Sequence, residues 1–191
     1  KILGGEGGNR LQGVLRSERG LTYGASADMD AYQRAGAIVA ETDTRTETTA
    51  EALRLTVDEF FRLQREPVSQ LELGGAQAFL AGNFPLTIET PDAIALQVLN
   101  ALFYGLDLKD LPDYPARVNR IAPEDIQRVA RAYLRPSRLS VVLVGDASKF
   151  MGELKGAGFE IVELIKLEDL DLTAVDLKRG TRATVRPAAP E

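Results

Sequence analysis

Four helix-start signals follow one another between residues 48 and 125, and this succession limits the fold more than any other feature of the chain. Thr48-Thr49-Ala50-Glu51 has the spacing of a capping box, and Leu53, Val57, Phe60 and Phe61 continue it at helical intervals to about Glu66, just ahead of Pro67. Ser69-Gln70-Leu71-Glu72 is a second box, and Thr90-Pro91-Asp92 offers an N-cap, an N1 proline and a first-turn acid for a third helix. Pro123-Glu124-Asp125 opens a further helix with Ile126, Val129, Ala130 and Tyr133 on one stripe; it stops before Pro136, although Ala122 is a poor N-cap.

Extended runs stand on either side of these helices. Residues 22–32 and 35–44, joined by Gln33-Arg34, read as an antiparallel pair. Residues 139–144 are a β-branched, largely apolar run ending at Gly145-Asp146, which fits a central buried strand. A short helix over residues 149–155, closed by Gly156, and a strand over 160–165 follow. Strands at both ends with helices between them predict an α+β fold, a largely antiparallel sheet with helices packed on one face.

At the start, Ile2 and Leu3 lead into the glycine-rich loop Gly4-Gly5-Glu6-Gly7-Gly8-Asn9. A helix over residues 10–19 follows, with Leu11, Val14 and Leu15 at helical spacing. Beyond Lys166 the chain turns polar and ends in Arg186-Pro187-Ala188-Ala189-Pro190, so residues 1–166 read as one domain and 167–191 as a tail. A first residue Lys1 rather than Met reads as that of an excised piece. The most apolar stretches, 93–105 and 139–145, are too short or too interrupted to span a bilayer, and the piece reads as soluble, with no membrane span.

Composition narrows the chemistry. The 191 residues contain no His and no Cys, which removes a His-ligated zinc, a Ser-His dyad, disulfides and thiolate nucleophiles from this chain. Carboxylates, Lys, Arg, Tyr and hydroxyls are left. The net charge of −5 is mild and evenly spread, so there is no basic stripe for a nucleic acid.

Each constellation has a plain reading beside a functional one. The glycine-rich opening lacks the ending of a P-loop and the dinucleotide fingerprint, and a turned loop is the better reading. Asp28 and Asp30 would share one strand face, where they could hold a hard cation but more simply form a solvated face; Glu168-Asp169-Leu170-Asp171 reads as a solvated loop. In the segment from Arg16 to Tyr23, Gly20 allows a left-handed helix end before the chain turns into a strand. By residue chemistry alone Arg16 is a surface cation and Tyr23 a strand aromatic, or the two form a functional pair.

The segment Leu15-Arg16-Ser17-Glu18-Arg19-Gly20-Leu21-Thr22-Tyr23 stands beside Ile2-Leu3-Gly4-Gly5, Asn9-Arg10-Leu11, Thr42-Asp43-Thr44, Gly82-Asn83-Phe84, Glu89-Thr90, Tyr104-Gly105-Leu106 and the run 142–146. In this order, over about residues 2–146, they resemble the inverted zinc metallopeptidases of the pitrilysin, insulinase and mitochondrial processing peptidase type, specifically the second, non-catalytic domain. The resemblance implies two homologous domains, in one chain or two subunits, closing around a peptide. One domain carries zinc through H-x-x-E-H and a downstream Glu. The other holds no metal and donates an Arg and a Tyr seven residues apart, which the resemblance assigns to Arg16 and Tyr23. Tyr23 would hydrogen-bond the substrate backbone or the oxygen that becomes negative, with Arg16 supporting it electrostatically.

The same resemblance places Gly4, Gly5, Gly7 and Gly8 where a longer glycine-rich loop handles substrate in processing peptidases, although here the loop is short. It also implies a strand and helix upstream of Ile2, whose loss would expose a sheet edge. The expected function is substrate positioning in a zinc-dependent endopeptidase: no cofactor in this chain, zinc in the partner domain, a peptide as substrate, and a setting tilted towards a bacterial periplasm or envelope. The rival expectation is a peptidase-inactive scaffold of the same fold. A stand-alone module binding peptides at an open sheet edge is a third.

Overall fold

A computed structural model describes residues 1–5, 8–135, 138–159, 162–175, 177 and 179. The glycine-rich loop runs into a helix that begins at Arg10 and widens into π geometry over Gln12–Glu18. Strands β1 (Ala25–Ala31) and β2 (Gly36–Thr42) follow, and then, among the described residues, six α-helices: α1 (Thr49–Arg65), α2 (Gln70–Asn83), α3 (Pro91–Phe103), α4 (Asp110–Asn119), α5 (Pro123–Tyr133) and α6 (Ala147–Gly156). The fold is α+β, mostly helical, with a two-stranded antiparallel sheet among the described residues.

The hairpin pairs as its alternation predicts. Ala25 faces Thr42 and Ala31 faces Gly36, and the Tyr32 N–H donates to the Ala35 carbonyl at 2.8 Å to close the turn at Gln33-Arg34. Ser26, Asp28 and Asp30 are exposed together on one face, while Ala25 and Ala27 turn inward on the other.

Of the four helix starts marked in the sequence, three follow the capping rules. Ser69 Oγ accepts from the Glu72 N–H at 3.2 Å while the Glu72 carboxylate accepts from the Ser69 N–H at 2.9 Å. Thr90 Oγ1 caps α3 through the Ala93 N–H. At α5, where the cap residue Ala122 has no acceptor, Asp125 reaches back to the Ala122 N–H at 3.1 Å. The box expected at Thr48 does not form. A single 3₁₀ turn, Thr46–Thr48, precedes α1, and the Thr48 hydroxyl donates to the Arg45 carbonyl at 3.0 Å instead. Helix α4, with Pro115 inside it, carries no start signal of the kind that marks the others.

The main core gathers Leu11, Leu15 and Leu21 from the N-terminal segment with Phe60 and Leu63 of α1 and Leu73 of α2. A smaller cluster packs Ala50 of α1 against Phe150 and Leu154 of α6. Helix α5 is tied to α1 by Gln127 and Arg131, which both donate to the Gln64 carbonyl.

Two expected strands do not appear among the described residues. Residues 139–144 make no strand pairing, and Val142 and Val144 are 85% and 97% exposed rather than buried in a sheet centre. A β-branched apolar run fits a pleated, packed surface, but a strand exists only where a neighbour meets its backbone groups, and no described segment does so here. The strand expected over 160–165 falls partly outside the described residues, since Glu160 and Ile161 are not among them, and Val162 to Ile165 form none. The polar tail also lies largely outside the described residues.

Candidate functional site

The N-terminal helix is built from its buried side outward. Leu11 and Leu15 are essentially inaccessible and fix one face in the core. Asn9 caps the helix, its Oδ1 accepting from the Gln12 N–H at 2.9 Å, and its side-chain amide donates to the Gly5 carbonyl.

Arg10 clamps the helix to two others. Its Nε and Nη2 donate to the two carboxylate oxygens of Glu72 at 2.7 and 3.3 Å, and its Nη1 lies 4.0 Å from Glu59 Oε2. The side chains of Arg10 and Glu59 are both buried, and Glu59 is further paired with Arg62 at 3.2 Å. The hydrogen bond from Arg10, assisted by those from Ser69, holds the Glu72 carboxyl down at about 2.

At the other end the helix closes in a left-handed turn. Gly20 has φ +61°, its N–H donates to the Arg16 carbonyl at 3.0 Å, and the Leu21 N–H then donates to the Leu15 carbonyl at 2.8 Å. That turn doubles the chain back, so Arg16 and Tyr23, seven residues apart, meet: the Arg16 guanidinium carbon stands 4.9 Å from the centroid of the Tyr23 ring. This is a cation–π contact. Tyr23 is 88% exposed, and Arg16 has no carboxylate partner among the described residues.

The loop carrying Tyr23 is fastened on both sides. Thr44 Oγ1 donates to the Leu21 carbonyl at 2.8 Å, Thr22 and Thr42 donate to the Gly24 carbonyl at 2.7 and 3.1 Å, and the Gly24 N–H donates back to Thr22 Oγ1 at 3.0 Å. In the sequence Thr42-Asp43-Thr44 stands only among the residues that carry the family resemblance; the signal for this fastening is two hydroxyls at i and i+2, able to reach one neighbouring loop.

The glycines divide. Gly4 is buried against β1: its carbonyl accepts from the Ala27 N–H at 2.9 Å, and a Cβ there would stand 2.0 Å from that nitrogen. Gly4 and Gly5, with Gln12, Ser26 and Asp28, line a cleft of about 420 Å³. Gly8 is exposed with open space around it, and Gly7 lies outside the described residues.

The chain has no His and no Cys, and among the described residues no group of three or more metal-ligating side chains comes together. The donor set does not fit a zinc centre. No helix among the described residues is long and apolar enough to cross a membrane.

The fold and site thus define an α+β domain without His or Cys that presents a stacked Arg–Tyr pair at its surface. Residues 1–80 match the family described as the peptidase M16 inactive domain. The fold is similar to the M16 inactive domain from Pseudomonas fluorescens, with a TM-score of 0.65 and 30% identity over 70% of this chain and 32% of that one. In sequence, the chain is 27% identical to an uncharacterized zinc protease of Streptomyces coelicolor, over 73% of this chain and 31% of the relative. It is 25% identical to a protein of Helicobacter pylori called a non-peptidase homolog, over 78% and 34% of the two. The match over residues 1–80 and the likeness to an M16 inactive domain support a non-catalytic domain of the M16 type, and the chain spans about a third of the length of the curated relatives it matches.

Proposed function

We propose that this domain positions peptide substrate for a zinc-bearing homologous domain, in the same chain or in a second subunit, and so forms the non-catalytic half of a metalloendopeptidase. The reading rests on one observation, the Arg16 guanidinium stacked on the exposed Tyr23 ring with no carboxylate partner among the described residues. An exposed phenol can donate a hydrogen bond to a peptide carbonyl. A guanidinium free of its own counter-ion favours the carbonyl oxygen as negative charge develops on it, and the stack holds both donors before substrate arrives. Zinc, held by the partner domain, would supply the activated water. The relative called a zinc protease is consistent with this assignment. Gly4 and Gly5, lining the cleft beside β1, together with Gly7 and Gly8 of the same loop, are proposed as the substrate-handling backbone. A periplasmic or envelope setting is part of the same proposal and rests on the resemblance alone.

The test is hydrolysis of a peptide library by the full-length protein with zinc, compared with its Tyr23→Phe variant at equal zinc content and equal thermal stability. The expected result is a fall in kcat/KM of about 10²-fold. Equal hydrolysis by parent and variant would remove Tyr23 from the reaction.

A second reading, a peptidase-inactive scaffold, is favoured by the name of the Helicobacter pylori relative, a non-peptidase homolog. It takes over if the full-length parent cleaves nothing and binds no zinc.

A further inference from the structure

We infer that Thr44, with Thr42 beside it, is a positioning residue that sets Tyr23 under Arg16; the inference rests on the proposed role of Tyr23. An 88% exposed side chain has little packing to define its place, so its direction is inherited from the backbone that carries it. That backbone is held by hydroxyls. The carbonyl two residues before Tyr23 takes Thr44 Oγ1 at 2.8 Å, and the carbonyl one residue after it takes Thr42 Oγ1 at 3.1 Å.

The two threonines come from the end of β2 and just beyond it, a different part of the chain from the helix that supplies Arg16. Arg16 is fixed by the buried Leu15 and by the Gly20 turn; Tyr23 is fixed by Thr42 and Thr44. Thr48 Oγ1, just before α1, lies 2.8 Å from Thr44 Oγ1 and has one proton to give either to it or to the Arg45 carbonyl; given to Thr44, it refers the clamp to a 17-residue helix rooted in the core. Both residues are β-branched, which restricts χ1 and suits a clamp better than a longer polar side chain. Thr22 bonds only within the loop and shapes it without anchoring it.

The experiment uses the full-length protein with zinc and compares the parent with Thr44→Val and Thr44→Ser. Valine keeps the shape and loses the hydroxyl; serine restores the hydroxyl. Two readouts are taken: the split of kcat from KM in peptide hydrolysis, and hydrogen exchange of the segment 21–24. Thr44→Val is expected to speed exchange in that segment and to lower kcat about 10-fold or more, since small displacements of a reacting group carry large rate penalties. Thr44→Ser is expected to return both towards the parent. Parent-like exchange and parent-like kcat in Thr44→Val would overturn the inference, as would failure of serine to restore either readout. Should Thr44→Val fail to fold, Thr42→Val, which frees the Gly24 carbonyl, is read by the same criteria. If Tyr23→Phe leaves hydrolysis unchanged while Thr44→Val still loosens residues 21–24, the proposed function fails and the positioning of Tyr23 by Thr44 stands.

Discussion

Arg16 lies over the ring of Tyr23, 4.9 Å from guanidinium carbon to ring centroid, although one residue belongs to the last turn of a helix and the other to a loop leading into a strand. The turn at Gly20 makes this possible by reversing the chain within the seven-residue interval. Neither residue has a core role. Whatever keeps the pair together must come from the stack and from the segments on which the two residues are mounted.

Because both side chains are exposed and each substitution removes little besides the stack, Arg16→Ala and Tyr23→Leu should each cost about 0.5–1 kcal/mol. A double-mutant cycle of thermal unfolding should return a coupling of about 0.5–1 kcal/mol, the size of an exposed cation–π contact. Zero coupling would mean the two side chains do not stack in solution.

Leu15, next to Arg16 and fully inaccessible, is the opposite case. Leu15→Ala should cost about 2–5 kcal/mol in urea unfolding, by lost burial and a residual cavity. The same substitution at the exposed Leu71 of α2 should cost well under about 1 kcal/mol, and a similar loss at both sites would contradict the packing described.

Gly4→Ala should destabilise by about 1–3 kcal/mol, because the new methyl group would stand 2.0 Å from the Ala27 nitrogen and 2.5 Å from its Cβ, forcing the loop off β1. Gly8→Ala, with open space around the position, is the matched control and should be near neutral. Chemical denaturation of the two variants side by side measures the difference.

Glu72 makes stability pH-dependent. Its folded-state carboxyl sits at about 2 against an ordinary 4.5, so the stabilisation is complete above pH 4.5 and is lost as the pH falls towards 2. With the side chain about a third exposed, solvent screening reduces the effect to about 1–2 kcal/mol. Glu72→Gln should therefore lower the Tm at pH 7, and the gap to the parent should close on titration from pH 5 to about 2.5. A gap that is constant over that range would show that the Arg10–Glu72 pair contributes no charge-dependent stability.

Helices α1, α2, α3 and α5 and the hairpin were legible because their signals are local. Ser69 and Glu72 cap one another across three residues, and Ala25 and Thr42 pair through a turn whose two residues stand out from the alternation. The Thr48 box misled because the hydroxyl found a nearer acceptor, the Arg45 carbonyl, in a turn the spacing does not reveal. Helix α4 is not legible in the sequence because its first turn lacks a capping residue and Pro115 argues against a helix there. The composition of residues 139–144 suits a strand, but composition carries no information about whether a partner strand is present.

For the site, the seven-residue spacing of Arg16 and Tyr23 and the absence of His and Cys were fixed in the sequence, since both are matters of covalent order and residue type. So was the left-handed turn, because Gly20 adopts positive φ at no steric cost. The tertiary structure alone decided that Arg10 would meet Glu72, 62 residues away, and that Thr44 would reach the Leu21 carbonyl, 23 residues away. Those contacts depend on how α1 and α2 pack around Leu11 and Leu15, and packing is a property of surfaces brought together in space, which no local pattern of residues encodes.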